Sequence, residues 1–97
     1  MRDIFYGDIY AAARALVGLS QIELAERARL ERRIIMRIEK ISPADTKNVE
    51  LHQLQVVRRV LEAAGARFIP AGNGVGEGVC RAQPYDGLAE HSEPSVE

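Results

Sequence analysis

Three short segments with a helical spacing of apolar residues follow one another within residues 8–40, separated by breaks of only a few residues. The first segment, 8–17, is rich in alanine, and the second, 20–28, repeats the three- and four-residue spacing. The third segment, 31–40, has isoleucines at the same spacing with arginines around them. The predicted order is therefore helix, short turn, capped helix, short turn and basic helix.

The predicted helix ends carry capping residues. Ser20 followed three positions later by Glu23 is the pattern of a capping box, in which each side chain accepts a hydrogen bond from the backbone N–H of the other residue. Gly18 follows the first helix, and Gly65 is placed to close a later one, because glycine readily takes the left-handed conformation needed there. The pattern predicts that the second helix starts at Ser20.

Beyond residue 40 the pattern changes. Residues 41–48 contain proline, aspartate and asparagine in quick succession and predict a loop, followed by a helix from about Val49 to residue 64. The apolar side of that helix, expected to be buried, consists of Leu51, Leu54, Val56, Val57, Val60 and Leu61. Residues 66–70 and 78–82 predict two short strands joined by a glycine-rich turn. The predicted fold class is all-α, a helix-turn-helix bundle of four to five helices with a short C-terminal β-strand or hairpin.

Positive charge is concentrated around the third predicted helix. The whole chain has a net charge of -1, but four acidic and no basic residues lie in 83–97, so residues 1–82 carry about +3. Within 27–40, six basic residues stand against two acidic ones. Such a local surplus of positive charge is what neutralises nucleic-acid phosphates.

The segment ARALVGLSQIELAERARLERRIIMRIEK resembles the Cro/CI-type (XRE) helix-turn-helix family. The similarity lies in an Arg-x-Leu helix, the Leu-Ser-Gln sequence, an alanine four residues after the glutamine, and the Ile-x-Arg-Ile-Glu ending. It extends over about residues 8–70, because LEAAGARFIP is similar to the helix and strand that close many short members. The resemblance implies a lambda-repressor-like bundle whose basic third helix enters the major groove of DNA.

The resemblance also implies which residues contact DNA. Gln21 would meet a phosphate or a nearby base edge from the start of the second helix. Arg32 and Arg33 lie where the family reads bases, and a bidentate arginine–guanine contact is the commonest specific one in the major groove. Met36 is open between a thymine methyl and the core, whereas Arg37 suits a phosphate. The full predicted DNA-binding set is Ser20, Gln21, Glu31, Arg32, Arg33, Met36, Arg37 and Lys40.

Further correspondences concern architecture. Arg14 and Glu39 match the family's buried ion pair, whose role would be to fix orientation more than to add stability. Three positions depart from the family: Arg29 replaces a turn glycine, Glu31 a serine or threonine N-cap, and Ile41 a glycine after the third helix. Arg29 must then take a conformation that glycine takes more easily.

The sequence gives little support for a phosphate-binding loop, a metal site or a catalytic site. The glycines of residues 72–78 precede no helix and no Lys-Ser/Thr pair, so they predict a hairpin turn and not a phosphate-binding loop. His52, His91 and Cys80 lack partners at metal-ligand spacing, so neither a metal nor another cofactor is expected. With no nucleophile–base pair, no catalytic residue and no enzyme are predicted. A cytoplasmic location without membrane association is expected, since the chain shows no signal peptide and no apolar run near the ~20 residues that span a bilayer.

The predicted function is a sequence-specific DNA-binding regulator of transcription, a repressor or autoregulator, acting as a homodimer on a double-stranded operator. Residues 1–65 would form the DNA-binding domain, 66–82 a dimerisation strand or hairpin, and 83–97 a disordered acidic tail. The alternative is a protein-interaction module, such as an antitoxin or antiactivator, built on the same fold. Arginines that merely form a solvated helix face would fit that alternative.

Overall fold

Four helices and one two-stranded sheet make up the parts of the chain that the computed structural model describes, residues 5–46 and 49–84. They are α1 (Gly7–Val17), α2 (Gln21–Ala28), α3 (Arg32–Ile38), α4 (Leu51–Ala63), β1 (Ala66–Ile69) and β2 (Gly78–Arg81). Each predicted helix and strand is present, although the third helix ends two residues before its predicted end at residue 40 and the fourth begins at Leu51 instead of near Val49. The predicted acidic tail lies, from residue 85 onward, outside the described residues.

The all-α class predicted from the sequence is wrong, because the two strands form an antiparallel sheet and the fold is a mixed α+β one. In this sheet Ala66 pairs with Arg81 and Phe68 with Val79. Ala66 and Phe68 are buried in the same apolar cluster as the helices. The strands are more than the predicted C-terminal extension of a helical bundle, because the inner face of the sheet covers part of the core.

The glycine-rich segment between the strands forms the predicted hairpin turn. Asn73 and Gly74 both have positive φ, 54° and 78°, and the backbones of Gly72 and Val75 bond to each other on either side. An Asn-Gly pair with two positive φ values suits a tight turn whose twist matches that of the strands.

The core lies where the helices meet the inner face of the sheet. Its most deeply buried large side chains are Leu24, Ile35, Ile38, Val57 and Leu61. The predicted burial of Leu51 is wrong, since its side chain is 69% exposed. Burial increases along α4 from Leu51 through half-buried Leu54 to Val57, so the first turn of this helix extends past the core.

An aromatic cluster fastens the sheet to α1 and α4. The rings of Phe5 and Phe68 meet edge to face at 5.1 Å, and Tyr10 lies 5.5 Å from Phe68. The guanidinium of Arg58 lies 5.0 and 5.1 Å from the Phe5 and Phe68 ring centres and also bonds Glu62 at 3.0 Å. Burial raises the pKa of Tyr10, so this residue stays a neutral phenol at physiological pH.

The start of α1 packs directly on the backbone at the end of α3. The N–H of Gly7 donates to the carbonyl of Ile41 at 2.9 Å. A Cβ atom on Gly7 would lie 2.2 Å from the carbonyl oxygen of Glu39 and 2.8 Å from that of Ile38. Only glycine fits this contact, which fixes the end of α3 against α1.

Candidate nucleic-acid interface

A three-residue turn, Arg29 to Glu31, joins α2 to α3. Arg29 has φ 59° and ψ 43°, so the predicted glycine-like conformation is confirmed for this arginine. Its N–H donates to the carbonyl of Glu26 at 3.2 Å, and the N–H of Leu30 donates to that of Ala25 at 3.0 Å. This pattern closes α2 as a Schellman motif does, and it reverses the chain at a sharp corner.

The start of α2 is closed by its own side chains. The Ser20 hydroxyl accepts from the N–H of Glu23 at 3.0 Å, and the N–H of Ser20 donates to the Glu23 carboxylate at 2.8 Å, which confirms the predicted capping box. The hydrogen bond from the Ser20 backbone holds the pKa of Glu23 below its ordinary value of 4.5. The capping box therefore stabilises the fold at neutral pH and loses this effect as the pH falls through the lowered pKa.

Arg14 and Glu39 form a bidentate ion pair between α1 and the end of α3. The Nε and Nη2 atoms of Arg14 lie 2.6 and 3.1 Å from the two carboxylate oxygens of Glu39, and Nη1 donates to the carbonyl of Leu19 at 3.1 Å. Only 22% of the Arg14 side chain and 9% of the Glu39 side chain are exposed. The hydrogen bonds to Glu39 raise the pKa of Arg14 further, so this guanidinium stays charged.

Gln21 continues this ion pair to the surface. Its Nε2 donates to Glu39 at 3.0 Å, and its Oε1 accepts from Nε and Nη2 of Arg32 at 3.3 and 3.2 Å. A carboxylate only accepts hydrogen bonds and a guanidinium only donates them, so the two neighbours fix which way the amide faces. A line of hydrogen bonds thus runs from Arg14 through Glu39 and Gln21 to Arg32. The Gln21 amide, predicted to contact DNA, bonds Glu39 and Arg32 in the structure.

Arg33, the next residue along α3, has a different partner. Its Nε bonds the carboxylate of Glu31, and the two side chains are 63% and 68% exposed. Glu31 occupies the N-cap position of α3, but its side chain makes no capping hydrogen bond. The start of α3 is therefore more open than the start of α2.

The two sides of α3 differ sharply. Ile34, Ile35 and Ile38 are buried, whereas Met36, which the sequence left open, is 38% exposed on the outer side. The exposed cations of this region, called the basic surface below, are Arg27, Arg29, Arg32, Arg33, Arg37 and Lys40.

Two members of the basic surface were missing from the predicted contact set. Arg27 lies in the last turn of α2 and Arg29 in the turn that follows, and both are exposed. The charge surplus over residues 27–40 was the available signal for them, because it begins before α3.

Two other features are absent from the part of the chain that the structure describes. Within 5–46 and 49–84, no three His, Cys, Asp or Glu side chains are grouped so that they could hold a metal ion. None of the helices described is long and apolar enough to cross a membrane.

Comparison of the chain with models of known protein families finds no match, and comparison with curated proteins finds no significant one. Function is therefore inferred from the basic surface and from the contacts behind it.

Proposed function

We propose that this chain is a sequence-specific DNA-binding regulator of transcription, of the Cro/CI type, that inserts α3 into the major groove. The observation that carries the proposal is the line of hydrogen bonds from Arg14 to Arg32, which orients an exposed guanidinium from the interior of the protein. An arginine that was merely solvated would need no such support. Fixed polar groups on a projecting helix are what base reading requires.

The geometry of Arg32 suits a guanine. Gln21 takes the Nε and Nη2 hydrogens on one edge of the guanidinium. The other edge, formed by Nη1 and the second Nη2 hydrogen, keeps two parallel donors. Two parallel donors match the O6 and N7 acceptors of guanine in the major groove. Arg32 is therefore the proposed base-reading residue.

Four other cations of the basic surface, Arg27, Arg29, Arg37 and Lys40, are proposed to contact phosphates. Arg37 and Lys40 follow the reading residues along the chain, and Arg27 and Arg29 precede them. Each phosphate neutralised by such a cation releases counterions. The logarithm of the binding constant should therefore fall linearly with the logarithm of the salt concentration, with a slope of about 0.9 per phosphate contact. Binding to random DNA is expected to rest almost wholly on these contacts.

The regulator is proposed to act in the cytoplasm. It is proposed to bind as a homodimer, because one α3 reads only a few base pairs and a second copy, on a half-site about 34 Å away, adds the specificity that one lacks. Within residues 5–46 and 49–84, β1 pairs with no strand other than β2, and Ile69 of β1 is 40% exposed on the outer side of the sheet. An open edge beside an apolar side chain favours pairing with a second copy. Sedimentation of Ile69→Glu tests the interface, and the variant is expected to be monomeric where the wild-type protein is dimeric.

Selection of binding sites from a random pool of duplexes, followed by titration at several salt concentrations, tests the DNA-binding proposal. Arg32→Ala should weaken binding to the selected site by about 1–3 kcal/mol and relax the preference at one base pair in each half-site. Arg37→Ala should weaken binding to all DNA sequences alike and lower the slope of the salt dependence by about one.

Arg59→Ala provides the control, since Arg59 is an exposed arginine on α4 outside the basic surface. It should leave the site preference unchanged. The proposal fails if Arg32→Ala and Arg33→Ala both keep wild-type affinity and preference, and the protein-interaction module then becomes the better account.

A further inference from the structure

Arg32 and Arg33 are neighbours at the start of α3, and both are exposed, but their partners differ in charge. Arg32 bonds the neutral amide of Gln21 and keeps its full positive charge. Arg33 bonds the carboxylate of Glu31, which neutralises it locally. In the free protein, only one of the two adjacent guanidinium groups is thus presented as a net cation.

We propose that Glu31 is a specificity-determining residue that withholds Arg33 from phosphates and releases it only to a G·C base pair. This inference rests on the proposed DNA-binding function. In the major groove, guanine presents two acceptors that suit Arg33, and the cytosine of the same pair presents an amino group that suits Glu31. At such a base pair, Arg33 exchanges Glu31 for guanine, and Glu31 exchanges Arg33 for the cytosine amino group.

Other sequences offer no equivalent exchange. A phosphate can replace Glu31 as the partner of Arg33, but the displaced carboxylate then lies beside the anionic backbone without a donor. The same holds at a base pair whose edge lacks an amino group in the right place. Glu31 thus adds discrimination by penalising the wrong sites.

The expected size of the effect follows from the exposure of the pair. Exposed ion pairs are weak, so releasing Arg33 and removing the repelling carboxylate should strengthen binding to random DNA by about fivefold. One additional phosphate contact should steepen the salt slope by about 0.9. Affinity for the selected site should rise less or fall, because Glu31 has a partner there.

Glu31→Gln removes the charge while keeping the length of the side chain. Its matched control is Glu62→Gln, which makes the same change in another glutamate–arginine pair, on α4. Both variants and the wild-type protein are titrated against the selected site, against that site with its G·C pairs exchanged one at a time, and against random duplex. Urea unfolding of each variant shows that the fold is retained.

The inference predicts that Glu31→Gln narrows the ratio of selected-site to random affinity about fivefold and relaxes the preference at one G·C pair, while Glu62→Gln does neither. If Glu31→Gln instead strengthens binding to the selected site and to random DNA by the same factor, the ratio is unchanged, Glu31 acts through net charge alone, and the inference is overturned. If the wild-type protein selects no sequence at all, the proposed function fails and the inference with it, a result distinct from an unchanged ratio.

Discussion

The two ends of α3 are held in opposite ways. At its C-terminal end, Gly7 donates to Ile41 across a contact too close for any Cβ atom, and the Glu39 carboxylate is bound by Arg14 and Gln21. At its N-terminal end, the N-cap side chain caps nothing, and the side chains of Arg32 and Arg33 make exposed hydrogen bonds to Gln21 and Glu31. One end is fixed by backbone packing and a part-buried ion pair, whereas the other is held by exposed side-chain hydrogen bonds.

This difference shows how a helix of seven residues can present polar groups in a defined direction. Its direction is set at one end by contacts that are costly to break. At the other end, exposed hydrogen bonds can be exchanged for those of a ligand, because an exposed ion pair adds little to stability. Substitutions at the two ends should therefore affect stability by very different amounts.

The largest loss is expected for Gly7→Ala. A Cβ atom 2.2 Å from the carbonyl oxygen of Glu39 forces the backbones of α1 and α3 apart, and such overpacking costs about 3 kcal/mol. Urea unfolding followed by circular dichroism measures it. Gly72→Ala is the control, because a Cβ atom there meets nothing within 4 Å. Equal stability of the two variants would show that the end of α3 is not held by this contact.

Glu39→Ala should cost less, about 2 kcal/mol, since it leaves the part-buried Arg14 without its partner but with some access to water. The double variant with Arg14→Ala should be no less stable than Glu39→Ala alone, because the stranded charge is gone. Glu62→Ala, which removes the glutamate of a more exposed pair, should cost about 0.5 kcal/mol. A strictly additive double variant would contradict the coupling.

Gln21→Ala should cost about 1 kcal/mol, the usual net value of a hydrogen bond, because it removes the link between Glu39 and Arg32. Nitrogen NMR of the arginine side chains should show one Nε signal moving to the position typical of a solvated arginine. Gln55→Ala, at an exposed position on α4, should change neither quantity. An unmoved spectrum would mean that Gln21 does not orient Arg32 in solution.

The smallest effect, and the only gain, is expected for Glu31→Ser. Serine at the N-cap position can accept a backbone N–H near the start of α3, as Ser20 does for α2, which should add about 0.5 kcal/mol of stability. The measurement is the urea midpoint compared with that of Glu31→Ala. If serine and alanine have the same midpoint, the open start of α3 is not limited by the missing cap.

Local chemistry allowed the sequence to predict most of the element boundaries. The capping box at Ser20 depends on residues three positions apart, whereas the left-handed conformation of Arg29 was expected from the resemblance, which places a glycine there. Gly7 could not be recognised in this way, because the need for glycine comes from the backbone of a helix 32 residues further along the chain. Leu51 was misjudged because helical spacing shows which side of a helix is apolar but not how far the core extends along it.

The prediction of the contact residues also succeeded where local spacing decides and failed where distant elements meet. Exposure of Arg32, Arg33 and Arg37 follows from the isoleucine spacing on α3, since the opposite side must face outward. The spacing of residues could not predict the partners of Gln21, because Glu39 and Arg32, at the two ends of α3, meet Gln21 of α2 only in the folded protein. The class of fold was misjudged for a related reason, as short strands reveal their share of the core only when packed.

The left-handed backbone of Arg29 bears on what this chain is selected for. A non-glycine residue in that conformation costs about 1 kcal/mol, and glycine would adopt it freely. The chain therefore carries a less stable residue at a corner where a more stable one is available, and what it gains is a guanidinium beside the start of α3. Trade-offs of this kind between folding and activity concentrate where a protein meets its ligand, and the left-handed Arg29 is what the proposed contact of this turn with DNA phosphates predicts.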